Sequence, residues 1–449
     1  MFENIIGQGA ALQLRDDILS RRQAPSMLFF GPSESGKGSA ALELARVLSC
    51  EGDASWKCAC PACDRHRYLR HGDLLMLGIR RFSAEIAASC AAFLRDPDSP
   101  SPAKTLFIRC LGKLQARFSP VLMESDPKLS KVSPILQSLD EGLNELDAAQ
   151  QTAAQLATLE KICGSLVKDA LKLEDEGMGD TIPINHIRRA AYWCRLAPVG
   201  KRKTLLIENA ERMRDEARNS LLKLLEEPPD TVSIVLTAQR REAIMPTILS
   251  RVRPYRFLKR DAELETEVIQ RVFREKPDYA SANAASVAAG GSLISAYLDS
   301  FLPNNIDNLR PLAAYFLVSM ARMAILSLKK NRAPLPDIAN ALGERYAPVA
   351  DAAGFGRSTT ASVVIKTLLA KSGNFEDVSF SRFLKTILDM VSEVTREDAS
   401  PRHIAYVDAF KKHISEAETA ANILNQSAAL ALEALFSKMK TSLQGGFNE

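Results

Sequence analysis

Three groups of residues in this chain could do chemistry. Gly31 to Gly38 read GPSESGKG, close to the phosphate-binding pattern G-x-x-x-x-G-K-[ST]. That pattern needs glycines so that backbone N–H groups can face phosphate oxygens, and a lysine to reach the outer phosphates. Gly31, Gly36 and Lys37 meet it. Gly38 does not, because a hydroxyl that binds Mg²⁺ normally stands there. Ser39 comes one position late and would point about 100° away around a helix. The loop is either a phosphate or nucleotide cradle with weakened metal binding, or a glycine-rich turn that holds no nucleotide. The second group is Cys50, Cys58, Cys60 and Cys63, spaced C-x₇-C-x-C-x₂-C. Four thiolates suit tetrahedral Zn²⁺. The C-x-C step is short for a zinc knuckle, so His66 or His71 could replace one ligand. The alternative is a reduced, metal-free cluster. An open three-ligand pattern with a base is not visible, so structural zinc is expected rather than catalytic zinc. The third group is Glu208 and Asn209, with Ser250 and Arg251 further along.

The elements that must position these groups are legible. Ser26 to Phe30 is an apolar run ahead of the glycine-rich loop, and the helix after it carries Ala41, Leu44, Ala45 and Leu48 on one face. This gives the strand–loop–helix context that a phosphate loop needs. Thr204 to Ile207 reads as a buried strand that puts Glu208 and Asn209 at its carboxyl end, where parallel α/β sheets bind ligands. A helix over about 215–226 follows, with Ala217, Leu221, Leu224 and Leu225 on one face, and Pro228–Pro229 stops it. Val232 to Thr237 is a second strand. A short helical turn then places Arg251 beyond it.

The stretch NSLLKLLEEPP, followed at the expected distance by PTILSR, resembles the clamp-loader subunits of bacterial DNA polymerase III. Within these AAA+ proteins the likeness is to the delta-prime and gamma/tau families. The opening FENIIGQG, Phe2 to Gly9, and HGDLLML, His71 to Leu77, are similar to the same family, the latter in the delta-prime style. The resemblance implies an α/β AAA+ P-loop domain, residues 1–255, with a parallel sheet and flanking helices. It also implies a four-cysteine zinc module at about 50–71, a small helical lid at 256–303, and an all-α C-terminal collar at 304–449 for oligomerisation. Where the family's ATPases have an aspartate for Mg²⁺ this chain has Glu208. Where they have a water-activating glutamate it has Asn209, which cannot act as a general base at neutral pH. Gly290–Gly291–Ser292 matches the lid's helix start, but the nucleotide-sensing arginine there is Ile294. Ser250–Arg251 keeps the arginine that the family presents to a neighbour's ATP, with Val252 in place of the usual cysteine.

The resemblance therefore implies a delta-prime-like subunit that helps load the sliding clamp onto primed DNA, with little or no ATPase activity of its own. Its implied partners are the gamma/tau and delta subunits in a ring, the sliding clamp, and primer–template DNA reached through the assembly. Structural zinc is the implied cofactor, and ATP with Mg²⁺ is in doubt. The main alternative is a gamma/tau-like subunit that itself hydrolyses ATP. An unrelated P-loop phosphotransferase would leave SLLKLLEEPP and the cysteine module unaccounted for. For Arg251 the bland alternative is a surface arginine in a local salt bridge.

From about Ser83 to Asp180 the chain leaves the family pattern. Ile135, Leu139, Leu143, Leu146, Ala149, Ala153, Leu156, Leu159, Cys163, Leu166, Ala170 and Leu173 recur close to the 3.5-residue coiled-coil period. This predicts an inserted helical hairpin that packs on itself and protrudes, or else a solvated insertion without a partner. Among 449 residues, net charge +4 is too small to imply nucleic-acid binding by itself. Met1 to Gly9 lacks the basic and apolar regions of a signal peptide. Ala313 to Leu328 is apolar but interrupted by Arg322, and reads as an amphipathic helix rather than a membrane span. A cytoplasmic protein with no membrane partner is expected.

Overall fold

Alternating burial builds the sheet. In the computed structural model, Leu28 of strand β1 (Ser26–Phe30) faces one apolar core, and Met27 and Phe29 face another. The same alternation holds in β2 (Leu74–Gly78), where Leu75 and Leu77 oppose Met76. It recurs in β3 (Lys203–Glu208), where Leu205 and Ile207 oppose Leu206. With β4 (Val232–Ala238) and β5 (Arg253–Arg256) these form a five-stranded, all-parallel sheet in the order β2-β3-β4-β1-β5. Both faces are covered, as an all-parallel sheet requires. The structure describes residues 1–97, 101–149, 155–179, 181–276, 292–302, 306–332, 334–356, 358, 360–372, 380–397, 401–422 and 426–445.

Helices α1 (Gly9–Leu19) and α2 (Lys37–Ser49) cover one face of the sheet, and the short α3 (Pro61–Arg67) packs on α2. After β2 the chain makes α4 (Ser83–Arg95), α5 (Pro102–Gln115), a 3₁₀ turn (Ala116–Phe118), α6 (Pro120–Met123), α7 (Leu129–Ala148) and α8 (Leu156–Gly177). Helix α9 (Ile184–Arg195) leads into β3, and α10 (Asp215–Glu226) joins β3 to β4; Ile187, Ala190, Leu221 and Leu225 cover the second face. The single turn α11 (Pro246–Leu249) precedes β5. Helices α12 (Ala262–Phe273) and α13 (Leu293–Ser300) lie in the segment expected to be the lid. Gly290 and Gly291 of the expected lid helix start lie outside the described residues. Ser292 is the N-cap of α13 and accepts from the Ser295 N–H at 3.3 Å.

The insertion differs from the expected self-contained hairpin. Its 3.5-residue stripe is carried by two helices, and residues 150–154 between them lie outside the described ones. Added Cβ atoms at Gly142 and Gly177 would meet Leu166 and Phe118, with Val132 also close to Gly177. The Ser138 hydroxyl donates to Asp169. Position 132 thus pairs with 177 and 142 with 166, so α7 and α8 run antiparallel. Their buried side chains share one core with Phe82, Ile86, Phe93, Phe107 and Leu111, and with Ile269, Phe273, Leu293, Ile294 and Tyr297 of α12 and α13. The insertion packs into the N-terminal unit rather than only on itself. Periodicity shows that a helix has an apolar face, but it does not show what covers that face.

The chain divides into two units, Met1–Leu302 and Pro303–Glu449. Among its described residues the second is helical: α14 (Ile306–Lys330), α15 (Asp337–Ala352), α16 (Ala361–Lys371), α17 (Phe380–Glu397), α18 (Pro401–Asn422) and α19 (Ala428–Gly445). In α14, Ala314, Leu317, Met320 and Ala324 are buried in this unit's core, Leu328 is also buried, and Phe316 packs edge-on against Phe383 and Phe436. Leu309–Lys330 is long and apolar enough to cross a membrane by length and composition, and 67% of its most apolar window is buried inside the protein.

Candidate nucleotide and metal sites

The carboxyl ends of β1, β2 and β3 meet at the glycine-rich loop. Gly31 follows β1 at φ +152, and a Cβ there would stand 2.1 Å from the Phe257 carbonyl oxygen, so the loop can leave the sheet only through glycine. Gly36, in the left-handed region, is the N-cap of α2, and Lys37 is its first residue. The lysine turns back on its own loop. Its Nζ donates to the Gly31 carbonyl at 2.7 Å, to the Pro32 carbonyl, and to Ser35 Oγ at 3.3 Å. Burial, then repulsion from Arg80, brings its amine down to about 8, so it stays charged at neutral pH. Arg260 closes over the loop, donating to the carbonyls of Ile6 and Glu34; a Cβ on Gly36 would lie 2.8 Å from its guanidinium. Ser39 is exposed.

Glu208 ends β3 and is 3% exposed. A Cβ on Gly38 would lie 2.6 Å from its Oε1, so the glycine gives the carboxylate room against the start of α2. Both carboxylate oxygens are taken. Arg80 Nη1 donates to Oε1 at 3.2 Å, and Arg117, from the 3₁₀ turn of the insertion, pairs with Oε2. Arg80 also reaches Glu85 at 3.2 Å, and Lys113 pairs with the same carboxylate. Burial pushes the Glu85 carboxyl up, but Lys113 and Arg80 outweigh this and hold it at about 2. The resemblance implies Mg²⁺ beside this glutamate, but the residues present do not fit a metal. Two guanidiniums already occupy both Glu208 carboxylate oxygens, and Gly38 offers no hydroxyl. Asn209, in the left-handed region, spends its side-chain N–H on the Ile79 carbonyl and its backbone N–H on Thr237 Oγ1 at 3.1 Å. Ile294 is buried in the core that α13 shares with α4, α8 and α12.

The cysteine sulfurs of residues 50, 58, 60 and 63 all lie within 4.8 Å of one another. Cys60 is the N-cap of α3, and its Sγ accepts from the Glu51 and Cys63 N–H groups at 3.5 Å each. Burial raises its thiol, but these donors outweigh that and bring it down to about 6. The Arg46 guanidinium, paired with Glu43, stands 2.9 Å from Cys63 Sγ, while burial and the neighbouring thiols push Cys63 up. Four convergent sulfurs, two backbone donors and a buried cation are a donor set that fits a thiolate-bound metal such as zinc. Neither histidine joins it. His66 and His71 stack on each other at 4.2 Å, and the Asp73 N–H donates to His71 Nδ1. Burial, with the charges of His71 and Arg109, takes His66 down to about 3.

Arg251 lies beyond α11. It donates to the Thr247 carbonyl at 2.7 Å, to Ser250 Oγ at 3.1 Å and to Glu226 Oε1 at 2.7 Å, with about a third of its side chain exposed. Within this chain, then, it makes the local salt bridge. Glu226 belongs to the same LLEEPP run that carries the family resemblance. Sequence reasoning missed Arg80, Arg117 and Arg260. Arg80 could have been found from its place two residues past Gly78 at the carboxyl edge of the sheet. Arg117 and Arg260 carry no local signal.

Residues 115–261 match the family model described as "DNA polymerase III, delta subunit". A curated relative, "DNA polymerase III subunit delta'" of Pseudomonas aeruginosa, is 29% identical over 126 residues, 28% of this chain. The match spans 38% of that relative's length. Among solved structures, a gamma subunit-related protein of DNA polymerase III from Thermotoga maritima is 16% identical, covering 63% of this chain and 90% of that one. Its TM-score is 0.30, too low to speak to function. Residues 115–261 hold β3, β4, Glu208, the LLEEPP helix and Ser250–Arg251, so the delta-subunit model matches the stretch that carries the sequence resemblance; the match begins at residue 115, within the segment 83–180 expected to leave the family pattern.

Proposed function

We propose that this chain is a delta-prime-like subunit of the DNA polymerase III clamp loader, with ATPase subunits of the gamma/tau type, a delta subunit and the sliding clamp as its partners. In this reading it helps place the clamp on primed DNA in the cytoplasm. The observation that carries it is the family match over 115–261 in a chain whose own Glu208 is neutralised by two arginines. The chain completes a ring in which its neighbours turn over ATP. Arg251, partly exposed and held by one carboxylate at the chain's surface, exchanges Glu226 for the phosphates of a neighbour's ATP. The helical unit 303–449 serves as the collar through which subunits join, and zinc on the four cysteines folds the segment after α2. Asn209 cannot serve as base and Glu208 is not free for metal, so hydrolysis by the chain itself is poor.

The test is assembly. Mixed with gamma/tau-type and delta subunits, the chain should elute with them from a sizing column and restore clamp loading to a mixture lacking delta-prime. A chain that elutes alone in every mixture contradicts the reading.

A further inference from the structure

We propose that Arg117, working with Arg80, is an internal substitute for the divalent cation at Glu208. It braces the insertion against the sheet edge and, together with Arg95, joins that edge to the lid without a nucleotide. This inference concerns the chain alone and stands whether or not the chain joins a clamp loader.

Charge and geometry carry it. Arg117 is buried, and its guanidinium packs over the Phe82 ring at 5.3 Å while it pairs with Glu208. Arg80 bridges Glu208 to Glu85, which Lys113 also holds. Two carboxylates thus face three cations, Arg80, Arg117 and Lys113. A divalent cation entering here would meet a site already carrying excess positive charge, and would have to strip a guanidinium from a buried carboxylate, a costly exchange. The elements joined are far apart in sequence: Arg80 follows β2, Glu208 ends β3 and Arg117 belongs to the insertion.

The second anchor is independent of the first. Arg95, at the end of α4, pairs with Glu275 and donates to the Phe273 carbonyl at 3.0 Å, both at the end of α12. Tyr297 of α13 donates to the same Glu275 at 3.0 Å. Ile86 and Phe93 of α4 share a core with Ile269, Phe273 and Tyr297. At the start of α4, the Glu174 carboxylate of α8 accepts from the Phe82 and Ser83 N–H groups. One helix therefore runs from the Glu208 edge to the lid and is pinned at both ends.

Hydrogen exchange on the full-length chain tests this. Arg117→Met should speed exchange in 203–209, 78–86 and 262–273 by roughly a hundredfold to a few thousandfold, the range expected for breaking one partner of a buried ion pair. Exchange within 303–449 should not change. Millimolar Mg-ADP added to the wild type should leave the exchange of 31–38 unaltered. Arg117→Lys keeps the charge but not the guanidinium plane that packs over Phe82, so it should exchange faster than wild type at 203–209. This variant decides the matter if Arg117→Met does not fold. Wild-type exchange in either variant, or protection of 31–38 by Mg-ADP, overturns the proposal.

Discussion

At the scale of single residues, two carboxylates and four sulfurs set the chemistry. Glu85 is held at about 2 against an ordinary 4.5. A carboxylate lowered in the folded state stabilises the fold above its unfolded value, and that stability is lost as pH falls through 4.5 toward 2. The shift corresponds to about 3 kcal/mol at neutral pH. Glu85→Gln should therefore destabilise the N-terminal unit in urea at pH 7, and the gap to wild type should narrow as the pH is lowered to 3. A gap independent of pH would mean that Glu85 contributes by packing and not by charge. For the sulfurs, freshly purified protein should carry about one zinc per chain by elemental analysis. Cys63→Ala, which removes the most buried of the four sulfurs, should lose most of it. Protein isolated without zinc contradicts the metal reading. The cysteines, Lys37, Glu208 and Asn209 were legible because each sits in a motif with its own spacing. Arg80 and Arg117 were not, because an ion pair between residues 80, 117 and 208 leaves no periodic trace in the sequence.

At the scale of elements, the strands and the helices α2 and α10 followed from apolar runs, glycines and prolines. The insertion shows where that reading stops. Its stripe from Ile135 to Leu173 announced helices but not their partners. Fully buried Ile86, Phe93 and Tyr297 show that α12 and α13 share the core of α7 and α8. Replacing residues 84–178 with a short Gly/Ser joint should then expose the apolar faces of α12 and α13 and leave Glu208 buried without Arg117. The shortened chain should melt at a lower temperature and bind a hydrophobic dye. A shortened chain as stable as wild type would instead mark the insertion as a separate module. On a finer scale, Leu166→Ala, at a site packed against Gly142, should cost about 2–5 kcal/mol in the N-terminal unit's unfolding.

At the scale of the whole molecule, the division at Leu302–Pro303 separates an α/β unit that carries every candidate site from a helical unit with its own core. A chain of 303–449 expressed alone should be helical by circular dichroism and should melt cooperatively. A disordered fragment would show that its core depends on the first unit. The apolar stripe of α14 was legible from sequence, and Ala314, Leu317, Met320 and Ala324 on it are packed in this unit's own core. The central claim is that the chain serves a neighbour's ATP and not its own. The most direct measurement compares clamp- and DNA-stimulated ATP hydrolysis by the reconstituted loader containing wild-type chain, Lys37→Ala or Arg251→Ala. Assembly is checked for each. The account predicts wild-type rates with Lys37→Ala and a marked loss with Arg251→Ala, since an arginine donated across an interface is worth roughly 10³–10⁵ at the site it serves. Full hydrolysis by an assembled Arg251→Ala loader, or its loss with Lys37→Ala, would contradict the account.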